Sequence, residues 1–225
     1  MDRMNSLRIP LATVLLLALA ACGGTRSAGN GFEMGADAAK ERARADSLRY
    51  PYTKADIDFM MGMIHHHAQA IQISRWAPTH QAGAEVIRLT ERIINAQQDE
   101  ITLMRQWLGD RHQSPPKVDS LGGIEMDHSQ HGAHAMSPMP GMLTAEQMAQ
   151  LDAARGIEFD RLFLTFMIQH HRGAVQMVRE LFSNQGAGQD ETIFKFAADV
   201  EVDQSTEIKR MLQMLITLDN GQRSP

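Results

Sequence analysis

The sequence predicts an all-α protein, a four-helix bundle assembled from two copies of one helical hairpin. Three observations carry that prediction. A stretch of the first half recurs in the second at a fixed offset. Apolar residues return at helical spacing, and no useful length alternates with period two. Glycine and proline punctuate the chain where the hairpins must turn. Of 225 residues, 43% are hydrophobic and 22% charged, the composition of an ordinary water-soluble chain. A formal charge of −5 argues against a nucleic-acid binder, which needs a basic surface to neutralise phosphates. The chain has 16 Met and 10 His but only 8 Phe, 2 Trp and 2 Tyr. A single Cys excludes an intramolecular disulfide framework and any multi-cysteine zinc or iron–sulfur site.

The repeat is explicit. At an offset of 104, Asp56 matches Asp160 and Phe59 matches Phe163, Met63-Ile64 match Met167-Ile168, and His66-His67 match His170-His171. Ala70 and Gln72 match Ala174 and Gln176 in the same register. Further on, Gln97-x-x-Glu100-Ile101-x-x-Met104 matches Gln204-x-x-Glu207-Ile208-x-x-Met211, now at an offset of 107. The three added residues fall around Ser183–Asp190, where Gly186 and Gly188 mark a loop. Two hairpins with matching apolar faces bury those faces against each other.

The elements follow in order. Residues 1–21 read as a signal peptide: Arg3 and Arg8 precede an apolar run of about 11 residues, too short to span a bilayer. The run ends Leu19-Ala20-Ala21-Cys22, which places the only cysteine where a bacterial lipoprotein signal accepts lipid. Residues 22–48 read as a lipidated tether passing into a charged helical lead-in near Ala36–Arg49. The first hairpin occupies 49–110. Met60, Met63, Ile64, His67 and Ile71 share one face of its first helix, and Pro78 is expected to close it. Val86, Leu89, Ile93, Gln97, Glu100, Ile101, Met104 and Leu108 form the stripe of the second, which Gly109 ends.

Residues 111–143 differ in kind. Pro115-Pro116 and Gly122-Gly123 break helices, and Met126, His128, His131, His134, Met136, Met139 and Met142 follow among Ser, Gly, Ala and Pro. Such a segment is expected to be a linker that builds no core. The second hairpin occupies 144–220, opening on Thr144 with Gln147 in the capping-box position. Leu164, Met167, His171, Ala174 and Val178 line its first helix, and Phe194, Ala197, Glu201, Gln204, Ile208, Met211 and Leu215 its second. His65, His80 and His112 lack repeat partners and are expected to be exposed.

The chemistry lies in the polar residues on apolar stripes. A buried polar group without a partner costs a few kcal/mol. His67, Gln97, Glu100, His171, Gln204 and Glu207 must therefore be satisfied by one another, by water or by a metal. One reading is a structural network in which each Glu accepts from a ring N–H and sets its tautomer. The other is a metal site. Met63 and His67 stand at i, i+4, as do Met167 and His171, which puts a thioether and an imidazole on one face. Thioether suits Cu(I) and not Mg, Ca or Mn, and imidazole suits copper in either state or zinc, so a Met/His set without thiolate points to copper. Met104, Met148, Met177, Met211 and Met214 read as core filler; the linker methionines have no core to fill. The enzyme alternative is a di-iron or ferritin-like oxidase, but the chain has no Glu-x-x-His motif.

Met63-Ile-His-His-His-Ala-Gln-Ala-Ile71, the segment Phe159–Val175, Met139-Pro-Gly-Met-Leu-Thr-Ala-Glu-Gln-Met148 and Ala96-Gln-Gln-Asp-Glu-Ile101 together resemble the bacterial family of unknown function numbered 305. The resemblance covers about 52–218. It implies a ferritin-like four-helix bundle, often exported, with CopM-type relatives that bind copper. Carried over residue by residue, it implies Met63, His66, His67, Met167, His170 and His171 as metal-site positions. The linker donors Met126, His128, His131, His134, Met136, Met139 and Met142 form an additional site, and Gln97, Glu100, Gln204 and Glu207 support the rings. The sequence thus predicts a non-enzymatic, exported protein in the cell envelope, anchored through lipidated Cys22 with the outer membrane favoured. It would bind copper ions and buffer or sequester them, for copper tolerance or for delivery to other exported proteins. The alternatives are an interaction bundle with a hydrogen-bonded core, and the oxidase.

Overall fold

The computed structural model describes residues 35–49, 51–117 and 139–223. Among them the regular structure is entirely helical, in six helices: α1 (Ala36–Arg49), α2 (Lys54–Ser74), α3 (Ala84–Asp110), α4 (Ala145–Ala153), α5 (Gly156–Ser183) and α6 (Glu191–Arg223). The bundle is α2/α3 and α5/α6, the two repeated hairpins, joined by packing of α2 on α5. Helix α1 lies on α3, and the short α4 lies on α5. The signal peptide and Cys22 lie outside the described residues, as do linker positions Met126, His128, His131, His134 and Met136. No described helix is long and apolar enough to cross a membrane.

Helix starts follow the sequence chemistry. Thr53 caps α2 in a reciprocal capping box with Asp56, and Thr144 caps α4 in the same way with Gln147. Asp190 caps α6, its Oδ1 accepting from the backbone N–H of Thr192 at 3.0 Å and of Ile193 at 3.1 Å. The same carboxylate is buried in an ion pair with Arg111 at 2.6 Å and accepts from Trp107 Nε1 at 3.1 Å, tying α3 to the start of α6. The repeat also closes on itself. Asp56 on α2 accepts from Gly188 N at 2.7 Å in the α5–α6 loop, while its counterpart Asp160 on α5 accepts from Gly83 N at 3.0 Å in the α2–α3 loop. Each hairpin thereby holds the turn of the other.

Two apolar clusters fill the bundle. The first unites Phe59, Met60, Met63 and Ile64 of α2 with Met104 and Leu108 of α3, Met177 and Val178 of α5, and Phe196 and Val200 of α6. The second unites Ile73 of α2, Leu89 and Ile93 of α3, Phe163 and Met167 of α5, and Met211 of α6. Along each helix the break between clusters is where the polar residues stand.

Five expectations change. His80 is buried, with Nδ1 2.9 Å from Trp76 O and Nε2 3.1 Å from Asp152 Oδ1, because α4 folds back over the α2–α3 turn. Phe194 is 58% exposed. The α6 stripe enters through Ile193, Phe196 and Ala197, leaving Phe194 outside against Phe182, with ring centroids 5.8 Å apart. Helix α2 ends at Ser74, before Pro78. The end of the linker does join the core: Leu143 is buried in the second cluster and Met139 packs on the first. Of the other two histidines, His112 is exposed and His65 half-buried. Met104, Met177 and Met211 are buried as core residues, whereas Met148 and Met214 are half-buried at its margin.

Candidate metal centre

Between the two apolar clusters lies a layer of four imidazoles, His66 and His67 from α2 and His170 and His171 from α5, all fully buried. Adjacent helical residues point about 100° apart, so each His-His pair spreads across the α2–α5 seam. The inner rings, His66 and His170, stack with centroids 3.8 Å apart and planes inclined by 40°. The outer rings turn toward the partner helix of their own hairpin. His67 Nε2 stands 2.5 Å from Glu100 Oε2 on α3, and His171 Nε2 stands 2.7 Å from Glu207 Oε2 on α6. The two-fold repetition of the sequence is thus repeated in the site.

These contacts assign protons. A carboxylate can only accept, so His67 and His171 carry hydrogen on Nε2. The Nε2 of His66 lies 3.1 Å from the carbonyl of Pro140, which fixes the same tautomer. The Nδ1 atoms of His66, His67 and His171 have no hydrogen-bond partner, and neither nitrogen of His170 has one. Burial lowers the His66 pKa to about 3, with the neighbouring His67 acting in the same direction. Burial likewise holds His170 well below its ordinary value, helped by the nearby rings of His66, His171 and His67 and opposed only by a backbone contact with His66 that falls short of a well-formed hydrogen bond. Both rings are neutral at pH 7 and present lone pairs.

The thioethers bracket this layer. Met63 is fully buried in the first apolar cluster and Met167 in the second, so the pseudo-symmetric sulfurs lie on opposite sides of the imidazoles. Buried, partnerless nitrogens flanked by thioethers make a soft donor set, suited to Cu(I) or Ag(I) in a way that oxygen-seeking cations cannot use. Among the described residues no three His, Cys, Asp or Glu side chains are grouped to hold an ion between them. The fit is therefore one of donor chemistry, and ligation requires the thioethers or a turn of the rings.

Gln97 and Gln204 are buried at equivalent places on α3 and α6, each with an Oε1 that has no partner. They line a groove of about 320 Å³ between α3 and α6, together with Glu100, Asp203 and Glu207. Burial, then the charges of Glu100, Asp199 and Glu207, raise the Asp203 pKa. Arg92, 3.9 Å from Glu207, and Arg210 also line the groove, so the outer face of the His–Glu pairs opens on a mixed charged surface. Sequence patterns did not reveal a second contact, on the opposite side. The chain from Met139 to Leu143 crosses the α2–α5 seam, and Met139 and Met142 are half-buried there. The residues that hold it, Gln69, Gln169 and Gly173, lie inside the recurring segments, but their role depends on contacts remote in sequence.

A match to DUF305, a domain of unknown function, spans residues 56–215. The chain belongs to the DUF305 family. No curated protein matches it significantly. Among solved structures, a DUF305 protein from Streptomyces coelicolor is 27% identical with a TM-score of 0.59, covering 73% of this chain and 94% of that one. A DUF305 fragment from Deinococcus radiodurans is 26% identical with a TM-score of 0.58, covering 73% and 97%. CopM in its Cu(II)-bound form is 30% identical with a TM-score of 0.53, covering 72% and 96%, and CopM has also been solved with Cu(I) and with Ag. The helical DUF305 fold is therefore the architecture of this chain.

Proposed function

We propose that this DUF305 protein is a non-enzymatic binder of soft metal ions, copper above all, that sequesters or passes on its cargo outside the cytoplasm. The observation that carries this reading is the set of five partnerless imidazole nitrogens inside the bundle. Leaving them so costs roughly 1–3 kcal/mol for each unsatisfied polar group, a penalty that a bound ion removes at the nitrogens whose lone pairs it takes. Copper- and silver-bound forms of CopM, a similar chain, support the choice of ion. Met63, His66, His67, Met167, His170 and His171 form the core site, oriented by Glu100 and Glu207. Met126, His128, His131, His134, Met136, Met139 and Met142 form a second, capturing set. Lipidated Cys22 would anchor the chain to the envelope, outer membrane favoured, and other exported proteins would exchange ions with it. Export accords with the secretion suggested in the name of the Streptomyces coelicolor relative.

Metal titration of the protein with Cu(I), Cu(II), Ag(I), Zn(II) and Fe(II), followed by mass spectrometry and thermal melts, tests the reading. Cu(I) binding with a raised Tm is expected, since an ion held only by the folded state stabilises it. Binding without a thermal shift would place the ion on the linker alone. No binding would leave the second reading, a structural bundle, which the His67–Glu100 and His171–Glu207 hydrogen bonds favour.

A further inference from the structure

The two-fold repetition of the His layer fails at one point. His66 donates from Nε2 to Pro140 O at 3.1 Å, whereas His170, its repeat counterpart, meets no strap carbonyl: its one backbone neighbour is His66 itself, without a well-formed hydrogen bond. The strap Met139–Leu143 causes the difference. The side-chain amide of Gln69 clasps it, accepting from Leu143 N at 2.8 Å and donating to Leu143 O at 3.1 Å. Gln169 donates to the carbonyls of Gly141 at 3.3 Å and Met142 at 3.4 Å. At the repeat position of Gln69 stands Gly173, and there the strap lies directly on the backbone of α5. A Cβ on Gly173 would come within 2.0 Å of Pro140 O and 2.4 Å of Pro140 C. Gly141 faces it with a φ of +77°, and a Cβ there would meet Gln169 O at 2.6 Å.

We propose that the Pro140 carbonyl, held in place by Gly173 and Gln69, is a tautomer lock that makes the two histidine pairs unequal toward a soft cation. While the strap is docked, His66 keeps its proton on Nε2 and can ligate only through Nδ1. His170, which the strap does not reach and whose only backbone contact is with His66, is free of that lock and supplies the adjustable donor of the layer. Gly173 and Gln69 act as positioning residues. Their effect resembles that of Glu100 and Glu207 on the outer rings, since a hydrogen bond to one ring nitrogen sets the basicity and aim of the other. The inference rests on the metal-binding reading for its ligation half, and on the apo geometry alone for the lock.

The test is long-range ¹H–¹⁵N NMR of the ¹⁵N-histidine-labelled full chain, without metal and with Ag(I) added as silver nitrate. In the wild type, His66, His67 and His171 should all appear as Nε2–H rings, and Ag(I) should shift Nδ1 of His66 while its Nε2 stays protonated. Gly173→Ala should mix the tautomers of His66 and weaken Ag(I) binding roughly ten-fold or more with helicity unchanged. Gln69→Ala, which leaves α5 untouched, should do the same to a smaller degree and serves if the first variant fails to fold. An apo His66 protonated on Nδ1 would overturn the lock, as would His66 signals identical in wild type and both variants. Ag(I) on Nε2 of His66 with the strap docked would overturn it too. A wild type that takes up neither Ag(I) nor Cu(I), yet shows the expected apo tautomers, would sink the metal reading and the ligation half while the lock stands.

Discussion

Replacing His170 by leucine should make the metal-free chain more stable and the metal-loaded one less so. The ring is fully buried and neither nitrogen makes a well-formed hydrogen bond, its one backbone contact being with His66. Removing an unsatisfied buried polar group recovers about 1–3 kcal/mol, and leucine fills a similar volume with nothing to satisfy. Against this stands the loss of the stacking on His66 at 3.8 Å, worth about 0.5–1.5 kcal/mol for a ring pair. The balance at pH 7 is a gain of roughly 1 kcal/mol, or about 2–4 °C in Tm for a domain of this size. Acid should widen the gap. Burial lowers both inner rings below 6.5 in the folded state, so the unfolded chain takes up more protons as pH falls beneath that value.

Their contribution to stability is therefore complete above pH 6.5 and eroded on the way down toward about 3 for His66. At pH 5, 1.5 units below the unfolded value, His66 alone costs the wild type roughly 2 kcal/mol, and His170 acts in the same direction. The leucine variant keeps only the His66 part. Urea unfolding at pH 7 and pH 5, with equal m-values as a control on two-state behaviour, reads both effects. A variant destabilised by more than about 1 kcal/mol at pH 7, or one with the wild-type pH slope, would refute the reasoning. Either result would mean that the His170 nitrogens are hydrogen-bonded or hydrated in solution.

Three further outcomes follow from the same structure. Glu100→Ala and Glu207→Ala should each weaken Cu(I) or Ag(I) affinity about 10–100-fold, because the ring facing each carboxylate loses its orienting partner; isothermal titration checks this. Asp190→Ala should cost about 3–5 kcal/mol in chemical unfolding, since it strands the buried Arg111 guanidinium as well as uncapping α6. Replacing Met126, His128, His131, His134 and Met136 together by Ser and Ala should lower copper stoichiometry by native mass spectrometry while circular dichroism stays unchanged. Equal stoichiometry would remove the linker from the binding scheme.

What the sequence determined by itself was everything carried by period and repetition. Helical spacing places His67 and Glu100 on facing stripes of one hairpin, and the same spacing places His171 opposite Glu207, so those pairs were readable from the register of the repeat. The all-helical class, the hairpin boundary near Gly186 and Gly188, and the Thr144 start rest on local preferences that act within one turn. Only the tertiary structure decided the rest. Met63 and Met167 fall on opposite sides of the His layer because the two hairpins are related by rotation, which a linear alignment does not express. His80 is buried because α4 returns over it, and Phe194 points outward because the phase of α6 is set by the packing of Ile193 and Phe196. The crossed ties of Asp56 to Gly188 and Asp160 to Gly83 join residues far apart along the chain. So does the strap on His66, where the absence of a side chain at Gly173 matters only because Pro140 arrives there. Such contacts have no period, and chain closure alone brings them together.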